Sequence, residues 1–201
     1  MGRLVAKKGH DLLIRACARL AAEGTPIDLV IVGEGDERPD LTEQISEVVG
    51  RCGDLLNISL EGGMPSEGVV SLFAEGRFHA AVLACRVTEE GDRDGVPVAL
   101  MEAQSYGVPI VTSALPGFEY EFTDGAGAVL VSMQASDSDA ATEPALPEMI
   151  RALAELYRDP RYRQRMADGA RFTSGLRPTP EDIGHSLLAM LLPLCSTIAE
   201  P

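Results

Sequence analysis

The stretch Asp94–Pro109 (DGVPVALMEAQSYGVP) constrains this chain more than any other, because it specifies a loop that delivers a helix between two apolar runs. Pro97 suits a first helical position, since its φ is preorganised and its missing N–H would have no partner there. Val98 to Ser105 continue the helix, and Gly107 with Pro109 stop it. Upstream, Ala80 to Ala84 (AAVLA) reads as a short buried strand; downstream, Pro109 to Thr112 reads as another. Strand, loop, helix, strand is one parallel α/β unit. The first turn of such a helix aims free backbone N–H groups at the loop, so it favours an anion before any side chain is considered. Asp94 stands just ahead of the helix and Glu102 lies within it, eight positions on. A ligand with a negative middle and hydroxyls at both ends fits that arrangement.

The same alternation runs through the rest of the chain. A helix is expected from about Asp11 to Ala22, with Leu12, Leu13, Ala16, Cys17 and Leu20 on one face. Ile27 to Val32 is a near-continuous apolar strand that ends in the turn GEGDE. The next helix opens at Asp40, with Glu43 completing a capping-box pattern, and buries Leu41, Ile45, Val48, Val49 and Cys52. Asn57 to Leu60 is a strand running into Glu61-Gly62-Gly63, and Ser66 caps a short helix through Val69, Val70 and Phe73. After the Asp94 unit come the loop GFEYEFTDG and a final strand, Ala126 to Val131. Residues 133–147 are small, acidic and aperiodic, which reads as a surface loop or linker. Glu148 to Arg158 returns to helical periodicity, Asp159-Pro160 starts an Arg-rich helix, and Asp182 to Leu192 makes a last one. Strands alternating with helices at this spacing indicate an α/β fold with a doubly wound parallel sheet. Ligands bind such sheets at the carboxyl ends of the strands. The GEG turn, the GGM turn at 62–64 and the Asp94 loop all fall there.

A formal charge of −14 argues against nucleic acid or an anionic membrane surface as a partner, since those interfaces are built on Lys and Arg. A small anionic ligand needs only local cations, and Arg3, Lys7 and Lys8 cluster near the start, closed by Gly9. Cys17, Cys52, Cys85 and Cys195 form no CxxC pair and no zinc spacing, so reduced thiols are expected. His10, His79 and His185 are scattered, with no nucleophile pattern beside them. The start lacks the apolar core and cleavage site of a secretory leader. The longest apolar run, Leu187 to Cys195, is too short to span a bilayer and contains Pro193. A soluble, cytoplasmic protein is expected.

DGVPVALMEA followed by YGVPIVTS resembles the acidic-x7-acidic signature of the GT-B-type retaining glycosyltransferases, family 4 of the sugar transferases. GRLVAKKG at 2–9, IVGEG at 31–35 and DGAGAVLV at 124–131 agree with that family in order and spacing. The resemblance covers roughly residues 2–132 and implies the C-terminal, donor-binding domain of a two-domain enzyme. It thus implies a Rossmann-like nucleotide-sugar-binding domain at 1–132, the acidic linker at 133–147 and C-terminal helices at 148–201 packing on the same domain. The implied activity is transfer of a sugar from a nucleoside-diphosphate sugar to an acceptor. A non-catalytic nucleotide-sugar-binding or regulatory module is the alternative, and a dinucleotide-binding oxidoreductase domain a weaker third.

The resemblance implies catalytic roles for Asp94 and Glu102. It implies donor contacts from Arg3 and Lys8 to the diphosphate, from Gly33 and Gly35 in the GEG turn, and from Gly95, Val98 and Ala99 at the helix start. No cofactor and no metal are expected: Asp92-Arg93-Asp94 spells an acidic-x-acidic metal motif, but the surrounding GVPVALMEA fits a metal-independent family. Three departures stand out. Asp94 replaces the usual Glu and is shorter by one methylene. Gly117-Phe118-Glu119-Tyr120 replaces the usual Gly-x-Pro-Glu. Family members carry an apolar strand immediately before the GRL motif, so this chain is expected to lack its first strand, normally central in the sheet. The implied partner is therefore a missing N-terminal GT-B domain, or another chain that fills the first-strand position.

Overall fold

The computed structural model describes residues 1–132 and 145–177. The linker residues 133–144 and the expected last helix, from Asp182, lie outside the described residues. Among the described residues, five strands and six helices follow one another as α1 (His10–Ala22), β1 (Ile27–Val32), α2 (Arg38–Cys52), β2 (Leu56–Glu61), α3 (Ser66–Ala74), β3 (Ala81–Leu83), α4 (Val98–Ser105), β4 (Ile110–Ser113), β5 (Ala128–Val131), α5 (Ala145–Arg158) and α6 (Pro160–Gly175), alternating as far as β4. Three-residue 3-10 turns sit at Ala6–Lys8, Gly53–Leu55 and Phe118–Tyr120.

All pairing is parallel, as the alternation of strands and helices requires. Among the described residues, however, the strands form two sheets. β1 pairs only with β2, and β3, β4 and β5 form a separate three-stranded sheet. A cleft of about 710 Å³ runs between β1 and β3, lined by Asp28, Leu29 and Val30 on one side and Ala80 and Val82 on the other. The N-terminal residues lie at its upper end: Gly2 N–H donates to Val32 O at 2.9 Å and Leu4 N–H to Glu34 O at 2.8 Å. That two-residue step is the spacing of a parallel ladder, so the segment runs alongside β1 and beyond its end.

The sheet interruption does not divide the core. One cluster gathers Leu12, Ile14 and Cys17 from α1, Ile31 from β1, Val111 from β4, Val131 from β5, and Met149 and Leu156 from α5. On the opposite face of the three-stranded sheet, Leu83, Ile110 and Ala128 pack with Leu100 of α4 and with Phe118 and Phe122. Alternate residues of β4 and β5 thus enter opposite cores, as the two-residue period of a strand dictates. α4 is tied to α6 through buried Gln104, whose Nε2 donates to Thr173 Oγ1 at 2.9 Å and whose Oε1 accepts from Arg177.

Several boundaries differ from the sequence reading for identifiable reasons. α2 begins at Arg38, not Asp40, and its N-cap residue Glu37 makes no side-chain cap bond, so the Asp40–Glu43 capping box is absent. The Arg38 guanidinium is bound to Leu60 O at 3.1 Å and Gly33 O at 3.3 Å, which holds the helix start against the ends of β1 and β2. Pro97 is the residue before α4, in extended conformation, rather than its first helical residue. Pro65 likewise precedes α3, so Ser66 is its first residue and not its cap. α5 starts at Ala145, inside the stretch read as linker, because Ala145 and Leu146 are buried in the main core. Asp159 caps α6 as its sequence suggests, accepting from Arg161 N–H and Tyr162 N–H at 2.9 Å each.

Candidate functional site

The carboxyl ends of the strands bring together two segments far apart in sequence, the turn Ala6–Lys8 and the loop Arg86–Pro97. Lys8 Nζ pairs with Asp94 Oδ2, and Lys7 Nζ lies 3.0 Å from Asp92 Oδ2 and 3.8 Å from Asp94 Oδ1. The loop is fastened to the turn by backbone as well: Arg86 N–H donates to Lys7 O at 2.9 Å and Arg86 Nε to Ala6 O at 2.7 Å. Arg86 also pairs with Asp11 at the start of α1.

Asp94 is only 12% exposed, and beneath it the buried Cys85 thiol donates to its Oδ2 at 3.4 Å. Burial, reinforced by the charge of Asp94, pushes the Cys85 thiol up to about 12, so it stays protonated. Burial also pushes Cys17 up to about 12. Behind Lys8 lies His10, 2% exposed, with neither ring nitrogen hydrogen-bonded. Burial, with the nearby Met1 amino group, Lys8 and Arg86, lowers its pKa to about 4, so the ring is neutral. Met1 and His10 both line the upper part of the inter-sheet cleft.

Val98 and Ala99 N–H groups precede the first bonds of α4, which run from Leu100 and Met101 N–H to Pro97 O. They form the free helix N-terminus the sequence implies, separated from Asp94 and Gly95 by Val96 and Pro97. Val98 is 65% exposed. Arg3 is exposed on the segment beside the end of β1, and the Lys8 ammonium lies against its neighbour Gly2. Glu102 is half-buried on α4, its side chain not drawn into the Lys8–Asp94 cluster.

Gly33 and Gly35 have a packing role that local sequence could not reveal. A Cβ on Gly33 would collide with the Gly2 carbonyl, and one on Gly35 with the Leu4 backbone. They let the Arg3-bearing segment lie directly on the end of β1. The GGM turn also approaches here, since a Cβ on Gly62 would sit 3.0 Å from Glu34 Oε1. Cys85 and Arg86 are contributors that sequence reasoning missed, and Lys7 stood out only as a local cation; the partners of Lys7 and Arg86 lie too far away in the chain for spacing to report. Asp92 and Asp94 are both engaged by lysines. Among the described residues no group of three or more His, Cys, Asp or Glu side chains is arranged to hold a metal ion.

Fold and site together define a parallel α/β domain whose strand ends gather a helix N-terminus, two lysines and the carboxylates paired with them. Residues 1–172 match the family model described as glycosyl transferases group 1, and the chain belongs to that family. It is 29% identical over 170 residues to the alpha-D-kanosaminyltransferase of Streptomyces kanamyceticus, covering 85% of this chain and 38% of that protein. It is 30% identical over 162 residues to a GDP-mannose-dependent phosphatidylinositol monomannoside mannosyltransferase of Mycolicibacterium smegmatis, covering 80% and 38%. The chain thus spans well under half the length of these relatives. Among solved structures it resembles S. aureus TarM in a complex containing UDP, with TM-score 0.73, 18% identity, and coverage of 94% of this chain and 34% of that one. Anabaena HepE, solved with UDP and glucose, gives TM-score 0.67 at 17% identity, covering 94% and 47%. The fold is that of the GT-B glycosyltransferases the resemblance implied. No helix among the described residues is long and apolar enough to cross a membrane.

Proposed function

We propose that this chain is the donor-binding half of a retaining glycosyltransferase acting in the cytoplasm without a metal ion. The support is the cluster in which Lys7, Lys8, Asp92 and Asp94 meet at the carboxyl edge of the strands, beside the free N-terminus of α4. A diphosphate leaving group gains charge in the transition state, and fixed cations stabilise that state more than the ground state. Lys8 and Arg3 supply those cations, and the Val98 and Ala99 N–H groups take the distal phosphate. Asp94, next to that seat, accepts hydrogen bonds from sugar hydroxyls, and Glu102 accepts from the ribose. Before a donor binds, Asp94 occupies Lys8 as an internal substitute for phosphate. The acceptor is held by an N-terminal half, joined through an extended strand that enters the cleft between β1 and β3.

Calorimetric titration with UDP, GDP and NAD tests the reading. Binding of a nucleoside diphosphate, no binding of NAD, and sugar transfer only after addition of an N-terminal half are the expected results. Glu102→Gln is expected to weaken the diphosphate and the sugar nucleotide alike, by about 1–3 kcal/mol for a lost charged hydrogen bond. Asp94→Asn is expected to weaken the discrimination between sugars while leaving the free diphosphate bound at least as tightly, because Lys8 loses its competing partner. NAD binding, or transfer by the chain alone, would refute the assignment.

A further inference from the structure

We propose that Lys7 is a positioning residue for Asp94, holding that carboxylate in place when Lys8 turns to the donor's diphosphate; the proposal rests on the donor-binding reading above. Lys7 Nζ stands between the two loop acids, 3.0 and 3.1 Å from the Asp92 oxygens and 3.8 Å from Asp94 Oδ1. Lys8 holds the other oxygen of Asp94, Oδ2. The two lysines therefore face opposite oxygens of one carboxylate. An ammonium on a flexible stem carries three rotatable donors, so it changes partner without moving the backbone.

Both ends of the Lys7 contact are anchored. On one side its carbonyl accepts from Arg86 N–H. On the other, Thr88 and Asp92 close a small turn, with Thr88 N–H donating to Asp92 O at 2.8 Å and Asp92 N–H to Thr88 Oγ1 at 3.1 Å. The two acids differ in solvation: the Asp92 side chain is 62% exposed and that of Asp94 12%. Water screens the Lys7–Asp92 pair, whereas the more buried Asp94 depends on a protein counter-charge. A diphosphate that draws Lys8 away leaves Asp94 short of that charge, and Lys7 moves inward from Asp92 to supply it. Occupancy of the phosphate seat thereby fixes the carboxylate that reads the sugar, and Asp92 serves as the resting partner of Lys7.

The test is calorimetric titration of the 201-residue chain with two ligand pairs, UDP against UDP-glucose and GDP against GDP-mannose. The unaltered chain is compared with Lys7→Met, Lys7→Arg and Asp92→Asn. With whichever pair binds, Lys7→Met should leave the free diphosphate within about twofold but weaken the sugar nucleotide by about threefold to fivefold, the scale of one partly screened charge pair. Lys7→Arg should restore the sugar nucleotide. Asp92→Asn, which frees Lys7 for Asp94, should keep or raise the preference for the sugar nucleotide. Equal weakening of both ligands by Lys7→Met would make Lys7 a phosphate ligand and overturn the proposal. No change with Lys7→Met, or a reduced preference with Asp92→Asn, would overturn it too. Failure of the unaltered chain to bind any of the four probes would overturn the donor-binding reading first, and the role of Lys7 with it.

Discussion

β1 and β4 invert the usual relation between hydrophobicity and burial. β1 reads IDLVIV and is the more apolar strand, yet only Ile31 and Val32 at its end are buried. β4 reads IVTS, with two hydroxyl side chains, and all four of its residues are buried. The difference lies in their neighbours. β4 has a paired strand on each side and a core on each face. β1 has β2 on one side and the cleft on the other. Thr112 tolerates burial because its Oγ1 donates to Leu83 O at 2.9 Å. β1 is apolar for a burial that the described residues do not supply, so its cleft edge is expected to accept one more strand.

The largest expected contrast comes from truncating each strand. Ile110→Ala in β4 should cost about 2–5 kcal/mol, whereas Val30→Ala beside the cleft should cost about 1 kcal/mol or less. Urea unfolding of both variants measures this, and equal costs would break the comparison.

His10 gives the next effect, because it is buried without partners at the edge of that cleft. Its pKa is lowered from 6.5 in the unfolded chain to about 4 in the folded one. The unfolded state therefore binds a proton between these values that the native state does not. Stability should be fully present above pH 6.5 and decline as pH falls toward 4, by up to about 1.4 kcal/mol per pH unit. Denaturation curves of the unaltered chain and of His10→Phe check the window, since the variant should lack that component of the slope.

The smallest effect sharpens the comparison most. With an apolar extended segment of about five residues fused ahead of Met1, the typical length of a strand, Val30→Ala should become costlier by about 1 kcal/mol. Amide exchange at Leu29–Val32 should slow in parallel. An extension that leaves both unchanged would mean the cleft does not accept a strand.

The sequence carried whatever local pattern encodes. β1 spans the residues its apolar run indicates, α6 begins at Asp159-Pro160 as its cap chemistry indicates, and the Asp94 loop does deliver α4. Long-range contacts were not legible. The start of α2 is set by Arg38 reaching the ends of β1 and β2, and the start of α5 by burial of Ala145 in a core assembled largely from the first half of the chain. In the site, Lys8 and Asp94 could be proposed separately from motifs, but not their mutual pairing. Lys7 carried no signal beyond its charge, because its partners Asp92 and Asp94 lie on another loop. Gly33 and Gly35 looked like turn glycines, whereas the space they leave is taken by Gly2 and Leu4.

The helices that cross the interrupted sheet have a consequence for cooperativity. α1 and α5 share one core with strands of both sheets, while no ladder joins β1 to β3 among the described residues. Apart from the hydrogen bonds and ion pairs that tie the Arg86–Pro97 loop to Ala6–Lys8 and Asp11, side-chain packing therefore transmits unfolding from one half to the other. Packing depends steeply on fit. Loosening the α1–α5 contact should thus separate the halves into two units that open at different free energies. The chain's behaviour as one folding unit then resides in its helical layer rather than in its sheet.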